Sequence, residues 1–272
     1  MTDLLRLVRG YNLLIAAAGV LAGGWIALGR VGTPAALWWA AVSAVGLGAA
    51  GYALNDLADT AADRVNRPGR PLAAMSVGRG TAHLVVFLGA LGGLAAAGLV
   101  SGTQVAVATG ALAVMAAYSP WLKPRGLAGN LAVALVAGLP LWFGALAVGA
   151  GRAGLVPWAL AVWLHLMREI VKDVEDEPGD RTIGRRTLPV VVGSRRAEVV
   201  AAGVGLLLVP ASLLLPYAAG FGPAYFLIAL PVQLAVLVAA TWLFLGRVAR
   251  VSTLLKSSMV VGLAALVAGR VA

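Results

Sequence analysis

The sequence contains no cysteine and only two histidines among its 272 residues. Without cysteine there is neither a disulfide framework, nor a thiolate zinc site, nor a cysteine nucleophile. His83 has no second histidine or acid at ligand spacing, and His165 is interpreted as a packing residue. Any chemistry must therefore come from carboxylates, basic side chains and other polar groups.

Charged residues are also scarce. They make up 12% of the chain, whereas hydrophobic residues make up 61% and the mean hydropathy is +0.92. An ordinary soluble domain carries roughly a quarter charged residues, and apolar runs of roughly 20 residues can cross a membrane as helices. The sequence therefore predicts an all-α membrane protein with one membrane-embedded domain over residues 1–272 and nine spans, at 11–29, 35–54, 80–100, 103–121, 127–149, 154–171, 197–217, 222–245 and 251–269.

Acidic residues number only 11 against 21 Lys and Arg, which gives a formal net charge of +10. If the N-terminus is cytoplasmic and the spans alternate, every Lys and Arg except Arg30, Arg152 and Arg270 falls on the cytoplasmic side. This is the positive-inside pattern of a cell-membrane protein, so the charge does not indicate a nucleic-acid partner. All the acids fall on the same side, which predicts a cytoplasmic active face. Arg6 and Arg9 precede a first span too long for a signal peptide, and we expect both to face lipid headgroups.

Two acidic clusters stand at the cytoplasmic ends of the second and sixth spans. Asp56, Asp59 and Asp63 are three and four residues apart, which places their carboxylates on one face of a helix. Like charges this close need neutralisation, by divalent cations or by the arginines at 64, 67 and 70. The same spacing recurs later in the chain, at Asp173, Asp176 and Asp180.

The recurrence of this motif also predicts a topology. Four spans separate the clusters, an even number, so both clusters emerge on one face of the membrane. Spans one to four and five to eight would form two parallel four-helix halves around a central cavity, with the ninth span as an additional helix. Pro178 and Gly179 are expected to end the sixth helix before Asp180.

Other polar residues lie near these clusters. Asn12, just inside the first span, is interpreted either as a packing hydrogen bond or as a residue lining the cavity. Tyr118 and Lys123, at the end of the fourth span, fit either interfacial anchoring or phosphate binding. Arg168 and Lys172 are one turn apart, as are Lys172 and Asp176, so that basic and acidic groups alternate along one helix face.

Two acidic clusters at the mouth of an apolar cavity suit a diphosphate that Mg²⁺ bridges to carboxylates, with an apolar tail between the helices. Mg²⁺ neutralises charge that develops on a leaving phosphate oxygen, and arginines add bidentate donors. One stretch of the chain carries this pattern, and it reads Asn55-Asp56-x-x-Asp59-x-x-x-Asp63-x-x-x-Arg67-Pro68-x-Arg70-Pro71-Leu72. With the second acidic motif, it resembles the UbiA-type superfamily of intramembrane prenyltransferases.

The resemblance implies Mg²⁺-dependent ionisation of a prenyl diphosphate, followed by attack of an acceptor on the cation. It assigns catalytic roles to Asp56, Asp59, Asp173 and Asp176. It assigns metal binding to Asn55, Asp56, Asp59, Asp63, Asp173, Asp176 and Asp180. Diphosphate binding is expected at Arg64, Arg67, Arg70 and Lys123, and acceptor binding at Asn12, Tyr118, Arg168 and Lys172.

The acceptor is predicted from the segment 168–176, which most resembles the branch that makes archaeal-type ether lipids. That branch implies transfer of a geranylgeranyl group from its diphosphate to geranylgeranylglyceryl phosphate. Relatives that prenylate aromatic rings look similar after Asp180, so an acceptor of the 4-hydroxybenzoate, dihydroxynaphthoate or homogentisate type is the alternative. A transporter is a second alternative, because parallel repeats and charges at membrane depth also occur in transporters.

Overall fold

The computed structural model describes residues 2–271. Within that range nine helices are long and apolar enough to cross a membrane, which confirms the predicted all-α membrane fold. Their ends lie within a few residues of the predicted spans, except that the second and sixth membrane helices continue into the acidic segments. The helices are α1 (Thr2–Leu7), α2 (Gly10–Leu28), α3 (Ala35–Asn66), α4 (Arg79–Gly98), α5 (Gly102–Ala117), α6 (Leu127–Ala147), α7 (Leu155–Thr182), α8 (Leu188–Val192), α9 (Ser194–Ala218), α10 (Pro223–Phe244) and α11 (Val251–Val271).

The length of α3 places its acidic end outside the hydrocarbon layer. Its 32 residues correspond to roughly 48 Å at 1.5 Å per residue, against a hydrocarbon thickness of roughly 30 Å. The helix ends at Asn66, where the backbone N–H of Arg67 still donates to the carbonyl of Asp63 at 2.8 Å. Pro68 follows, and it restricts Arg67 to non-helical conformations. We refer to this side of the molecule as the polar face.

The prediction that Pro178 and Gly179 end the sixth membrane helix was wrong, because α7 continues to Thr182. Pro178 removes one intrahelical hydrogen bond, but the side chain of Asn66 on α3 braces this turn. Its Nδ2 donates to the carbonyl of Asp176 at 2.7 Å, and its Oδ1 accepts from the backbone N–H of Gly179 at 2.9 Å. A Cβ atom at position 179 would clash with the Asn66 amide, so the close approach of α3 and α7 depends on this glycine.

The helices α2 and α6 cross in close backbone contact, which glycine makes possible. A Cβ at Gly23 would overlap the backbone of Leu141, and a Cβ at Gly144 would overlap the backbone of Val20. We call this contact the α2–α6 seam and define it by these four residues.

The buried apolar side chains form two large clusters, one on each side of the seam. The first cluster is built from α7, α9, α10 and α11, and the second from α3, α4 and α5. The seam helices contribute to both. Ile26 and Leu141 belong to the first cluster, whereas Val20 and Phe143 belong to the second.

A small third cluster closes the polar face near the N-terminus. Leu7 of α1 is fully buried against Leu72, Val77 and Ala82. The chain then turns sharply into α2, with Arg9 in a left-handed conformation at φ 51°. This turn directs the Arg9 side chain towards the end of α3 rather than towards lipid.

Candidate active site

The first acidic cluster is buried at the polar end of α3 and neutralised by arginines. Asp56, whose side chain is 2% exposed, accepts from Arg9 Nη2 at 2.7 Å and from Arg70 Nη1 at 3.3 Å. Arg70 also donates to both carboxylate oxygens of Asp63, at 2.7 and 2.9 Å. Burial alone would lower the pKa of Arg70, but the charges of Asp56 and Asp63 raise it above its ordinary value. Arg70 is therefore a permanent cation between two carboxylates.

Two basic side chains join the first acidic cluster to the second. Lys123 Nζ lies 3.2 Å from Asp59 Oδ2 and 3.6 Å from Asp180 Oδ1. Arg185 bridges the same two acids, at 2.8 Å from Asp59 and 3.2 Å from Asp180. The clusters on α3 and α7 thus lie side by side, as the repeated motif predicted. Without these cations, the two buried carboxylates would repel each other.

The other two acids of α7 have separate partners. Asp173 is buried and accepts from Asn130 Nδ2 of α6 at 2.7 Å. Asp176 accepts from Arg67 Nη2 at 2.8 Å, and its side chain is 19% exposed. Of the six aspartates in the two motifs, Asp176 has the most solvent-accessible side chain.

Lys123 reaches the acids because the chain changes its helical pitch after α5. A π-helical turn at Tyr118–Leu122 and a 3₁₀ turn at Lys123–Arg125 contain two prolines and turn Lys123 inward. Ser119, in the same turn, accepts from Asn55 Nδ2 at 3.2 Å. Tyr118 lines the same cavity as Lys123.

A cavity of about 770 Å³ begins at these side chains and extends between the helices. This volume lies within the 300–1,000 Å³ typical of ligand sites. Its apolar part is lined by every membrane helix except α4. We call its polar entrance the polar mouth, defined by Asn55, Asp59, Arg67, Arg70, Lys123, Asp173 and Asp176.

A second charged group lines the cavity beside the polar mouth. Lys172 donates to both carboxylate oxygens of Glu169, at 2.7 and 2.9 Å, and Arg168 Nη1 donates to the same carboxylate at 3.2 Å. The sequence predicted that basic and acidic groups such as Lys172 and Asp176 alternate along one helix face. In the structure, Lys172 instead pairs with Glu169, within one turn of α7. Lys256 of α11 lies 4.8 Å from the ring centroid of Tyr11, and Asn12 lines the cavity nearby.

Of the residues predicted for the site, the structure separates Arg64 from the rest. Its side chain is exposed, and it does not line the cavity. The sequence prediction missed Arg9 and Arg185, as well as Asn130 and Glu169. A signal was present for Arg185, since it follows the second acidic motif as Arg67 and Arg70 follow the first. Nothing local in the sequence connects Arg9 with Asp56.

The donor set at the polar mouth fits a divalent cation that prefers oxygen. In residues 3–271 no three acidic or histidine side chains converge on one point, because basic side chains stand between the carboxylates. Three buried oxygens at this site nevertheless have no hydrogen-bond partner in the described residues, namely Asn130 Oδ1, Asp180 Oδ2 and Asp59 Oδ1, the last of which has an ion pair with Arg185. Buried unpaired oxygens are costly, and a cation would satisfy them. A cation at these carboxylates would compete with the arginines and Lys123 that now pair with them.

The model of the UbiA prenyltransferase family matches residues 16–256. The chain belongs to this family. A digeranylgeranylglyceryl phosphate synthase from Halobacterium salinarum is 40% identical over 270 residues, which are 98% of this chain and 96% of that protein. This UbiA prenyltransferase is therefore an enzyme, and the transporter alternative is set aside.

Solved structures support the same fold. A UbiA homologue from Aeropyrum pernix superposes with a TM-score of 0.82 at 21% identity, over 94% of this chain and 96% of the other. A UbiA homologue from Archaeoglobus fulgidus, bound to GPP and Mg²⁺, superposes with a TM-score of 0.66 at 16% identity, over 98% of both chains.

Proposed function

We propose that this UbiA prenyltransferase moves a geranylgeranyl group from geranylgeranyl diphosphate to geranylgeranylglyceryl phosphate. The observation that carries the proposal is the 40% identity to a synthase of digeranylgeranylglyceryl phosphate over nearly the full length of both chains. That product differs from the proposed acceptor by one geranylgeranyl group. The cations at Arg168 and Lys172, beside an apolar cavity, suit a phosphorylated lipid better than a small aromatic acid.

The residues of the polar mouth and the charged residues directly behind it divide into two sets in this proposal. Arg67, Arg70 and Lys123 hold the diphosphate, together with Arg9 and Arg185, because each presents a cation at the cavity entrance or directly behind it. Mg²⁺, when bound, neutralises charge on the departing diphosphate. The oxygens that would hold Mg²⁺ belong to Asn55, Asp56, Asp59, Asp63, Asp173, Asp176 and Asp180.

The reaction breaks the bond between C1 of the prenyl chain and the diphosphate oxygen, and the electron pair leaves with the diphosphate. The hydroxyl oxygen of the acceptor then forms a bond to C1, and its proton passes to the departing diphosphate. The chain contributes fixed cations around the leaving group and apolar walls that exclude water from the allylic cation. Tyr118 and Asn12 line the cavity where the acceptor would approach.

The proposal places the polar mouth on the cytoplasmic side of the cell membrane. All acids and most of the Lys and Arg residues lie at that end of the nine helices, and the positive-inside rule orients such ends towards the cytoplasm. Labelling of single cysteines, introduced at Arg64 and at Arg152 in intact cells, tests this orientation. Only the residue at position 152 should react with an impermeant reagent.

The acceptor is tested with the purified protein in nanodiscs and radiolabelled geranylgeranyl diphosphate. We expect labelled product with geranylgeranylglyceryl phosphate and none with 4-hydroxybenzoate, dihydroxynaphthoate or homogentisate. A product with an aromatic acceptor alone would refute the proposed acceptor. Addition of EDTA should stop diphosphate release, and added Mg²⁺ should restore it.

A further inference from the structure

The cavity below the polar mouth reaches the α2–α6 seam, where Leu141 lines it. Backbone contact at Gly23 and Gly144 leaves no room for a ligand between the two helices. The apolar lining on either side belongs to different clusters, which share no residue. A ligand chain that descends from the polar mouth must therefore pass on one side of the seam or the other.

The first side is the α3–α5 compartment, which we define by Ala44, Leu47, Ala108, Ala111, Met115 and Phe143, all of which line the cavity. It lies between α2, α3, α5 and α6. Directly above it, at the polar end of the same helices, are Asn55, Asp59 and Lys123. The part of the diphosphate site that lies on α3 and in the turn after α5 thus belongs to the same half of the bundle as this compartment.

The second side is the α9–α11 compartment, which we define by Leu208, Tyr225, Ala229, Val236, Gly262 and Leu266. Tyr225 is fixed at its far end, because its hydroxyl donates to the carbonyl of Ser212 at 2.8 Å. That carbonyl has no intrahelical donor, since the residue four positions later is Pro216. The compartment therefore ends at a firmly held aromatic ring.

Basic side chains outnumber carboxylates at the polar end of the α9–α11 compartment. Arg168 and Lys172 of α7 share the single carboxylate of Glu169. Lys256 of α11 contacts the ring of Tyr11, and no carboxylate forms an ion pair with it in the described part of the chain. Three cations against one carboxylate can hold a phosphate monoester, because such an anion carries nearly two negative charges at neutral pH.

We propose that the acceptor lipid occupies the α9–α11 compartment, with its phosphate on Arg168, Lys172 and Lys256, while the donor chain occupies the α3–α5 compartment. The inference rests on the proposed function and extends it to Lys256 and to the location of each chain. The two headgroups meet at the polar mouth, and the seam keeps the two chains apart. Chain length is then selected separately for donor and acceptor.

A matched pair of substitutions tests this assignment. Gly262 has open space beside it, with Val232 Cγ2 at 3.9 Å from an added Cβ, so Gly262→Phe fills the α9–α11 compartment. Ala111→Phe fills the α3–α5 compartment. One methylene too many in an apolar pocket already changes substrate discrimination by roughly 10- to 200-fold, and a phenyl ring is larger than a methylene. We expect Gly262→Phe to raise the acceptor KM at least about tenfold with little change for the donor, and Ala111→Phe to do the reverse.

The neighbouring lipid-facing positions provide the controls. Gly110→Phe on α5 and Val261→Phe on α11 place the same side chain outside the cavity, because both residues are exposed on the outer surface. Neither should change either KM by more than about twofold. Should Gly262→Phe fail to fold, Gly262→Leu replaces it. Equal effects of both cavity substitutions on both substrates would overturn the proposal.

Lys256→Gln tests the phosphate position. It should raise the KM for the phosphorylated acceptor about tenfold, the effect of one charge-assisted hydrogen bond, while donor binding measured without acceptor stays unchanged. An unchanged acceptor KM would remove Lys256 from the site. If the wild type transfers nothing to geranylgeranylglyceryl phosphate, the proposed function fails. The compartments are then still decided by donor binding alone, which Ala111→Phe should weaken and Gly262→Phe should not.

Discussion

Replacing Arg70 with glutamine removes the cation that neutralises Asp56 and Asp63 together. The side chain of Arg70 is 17% exposed and lies within hydrogen-bond distance of both carboxylates. Breaking a buried ion pair costs ~3–5 kcal/mol, because the remaining charge stays buried without a partner. Asp56 keeps its ion pair with Arg9 at 2.7 Å. We therefore expect the free energy of unfolding, measured without metal, to fall by an amount at the lower end of that range.

Mg²⁺ should compensate for part of this loss if it binds the same carboxylates. A ligand at 100 times its dissociation constant stabilises the folded state by about 2.7 kcal/mol. The variant, which has one cation fewer, should therefore gain more from Mg²⁺ than the wild type gains. Thermal unfolding in detergent, with EDTA and with saturating Mg²⁺, measures both quantities. Loss of a charge-assisted bond to the diphosphate should also lower kcat/KM about 10- to 100-fold.

Arg64→Gln is the matched control, since Arg64 lies only six residues before Arg70 in the chain but outside the cavity. It should leave Tm, the Mg²⁺ response and kcat/KM close to wild type. If Arg70→Gln and Arg64→Gln have the same Tm in EDTA, Arg70 does not neutralise the buried acids. If Mg²⁺ stabilises wild type and Arg70→Gln equally, the metal does not bind beside Asp56 and Asp63.

Three other substitutions test separate parts of the molecule. Asp176→Asn should lower diphosphate release at least about 100-fold with a small change in Tm, since this carboxylate is partly exposed and, within the described residues, has its one ion pair with Arg67; wild-type release in saturating Mg²⁺ would contradict its role. Lys172→Ala should raise the acceptor KM more than the donor KM, and an equal change in both would argue against a phosphorylated acceptor. Gly144→Ala should lower Tm by several degrees, because its Cβ overlaps the backbone of Val20, and an unchanged Tm would show that the seam can separate.

The membrane helices and the two acidic motifs could be predicted because their signals are local. Apolar runs define the spans, and the spacing of Asp56 and Asp59 defines a helix face whatever surrounds it. The contact of Arg9 with Asp56 could not be predicted in this way, since it depends on a left-handed turn between α1 and α2. Local rules also failed at Pro178, where a side chain from another helix braces the turn.

The brace at Asn66 has a mechanical consequence for the way ligands pass. Its side-chain amide forms two hydrogen bonds with the backbone of α7, and these hydrogen bonds hold the acidic ends of α3 and α7 together. One rim of the entrance is thereby fixed in width. We expect the opening motion that admits the acceptor, with its one geranylgeranyl chain, and releases the product, with two, to occur where α2 and α11 meet, because no comparable pair of hydrogen bonds joins those helices in the described chain.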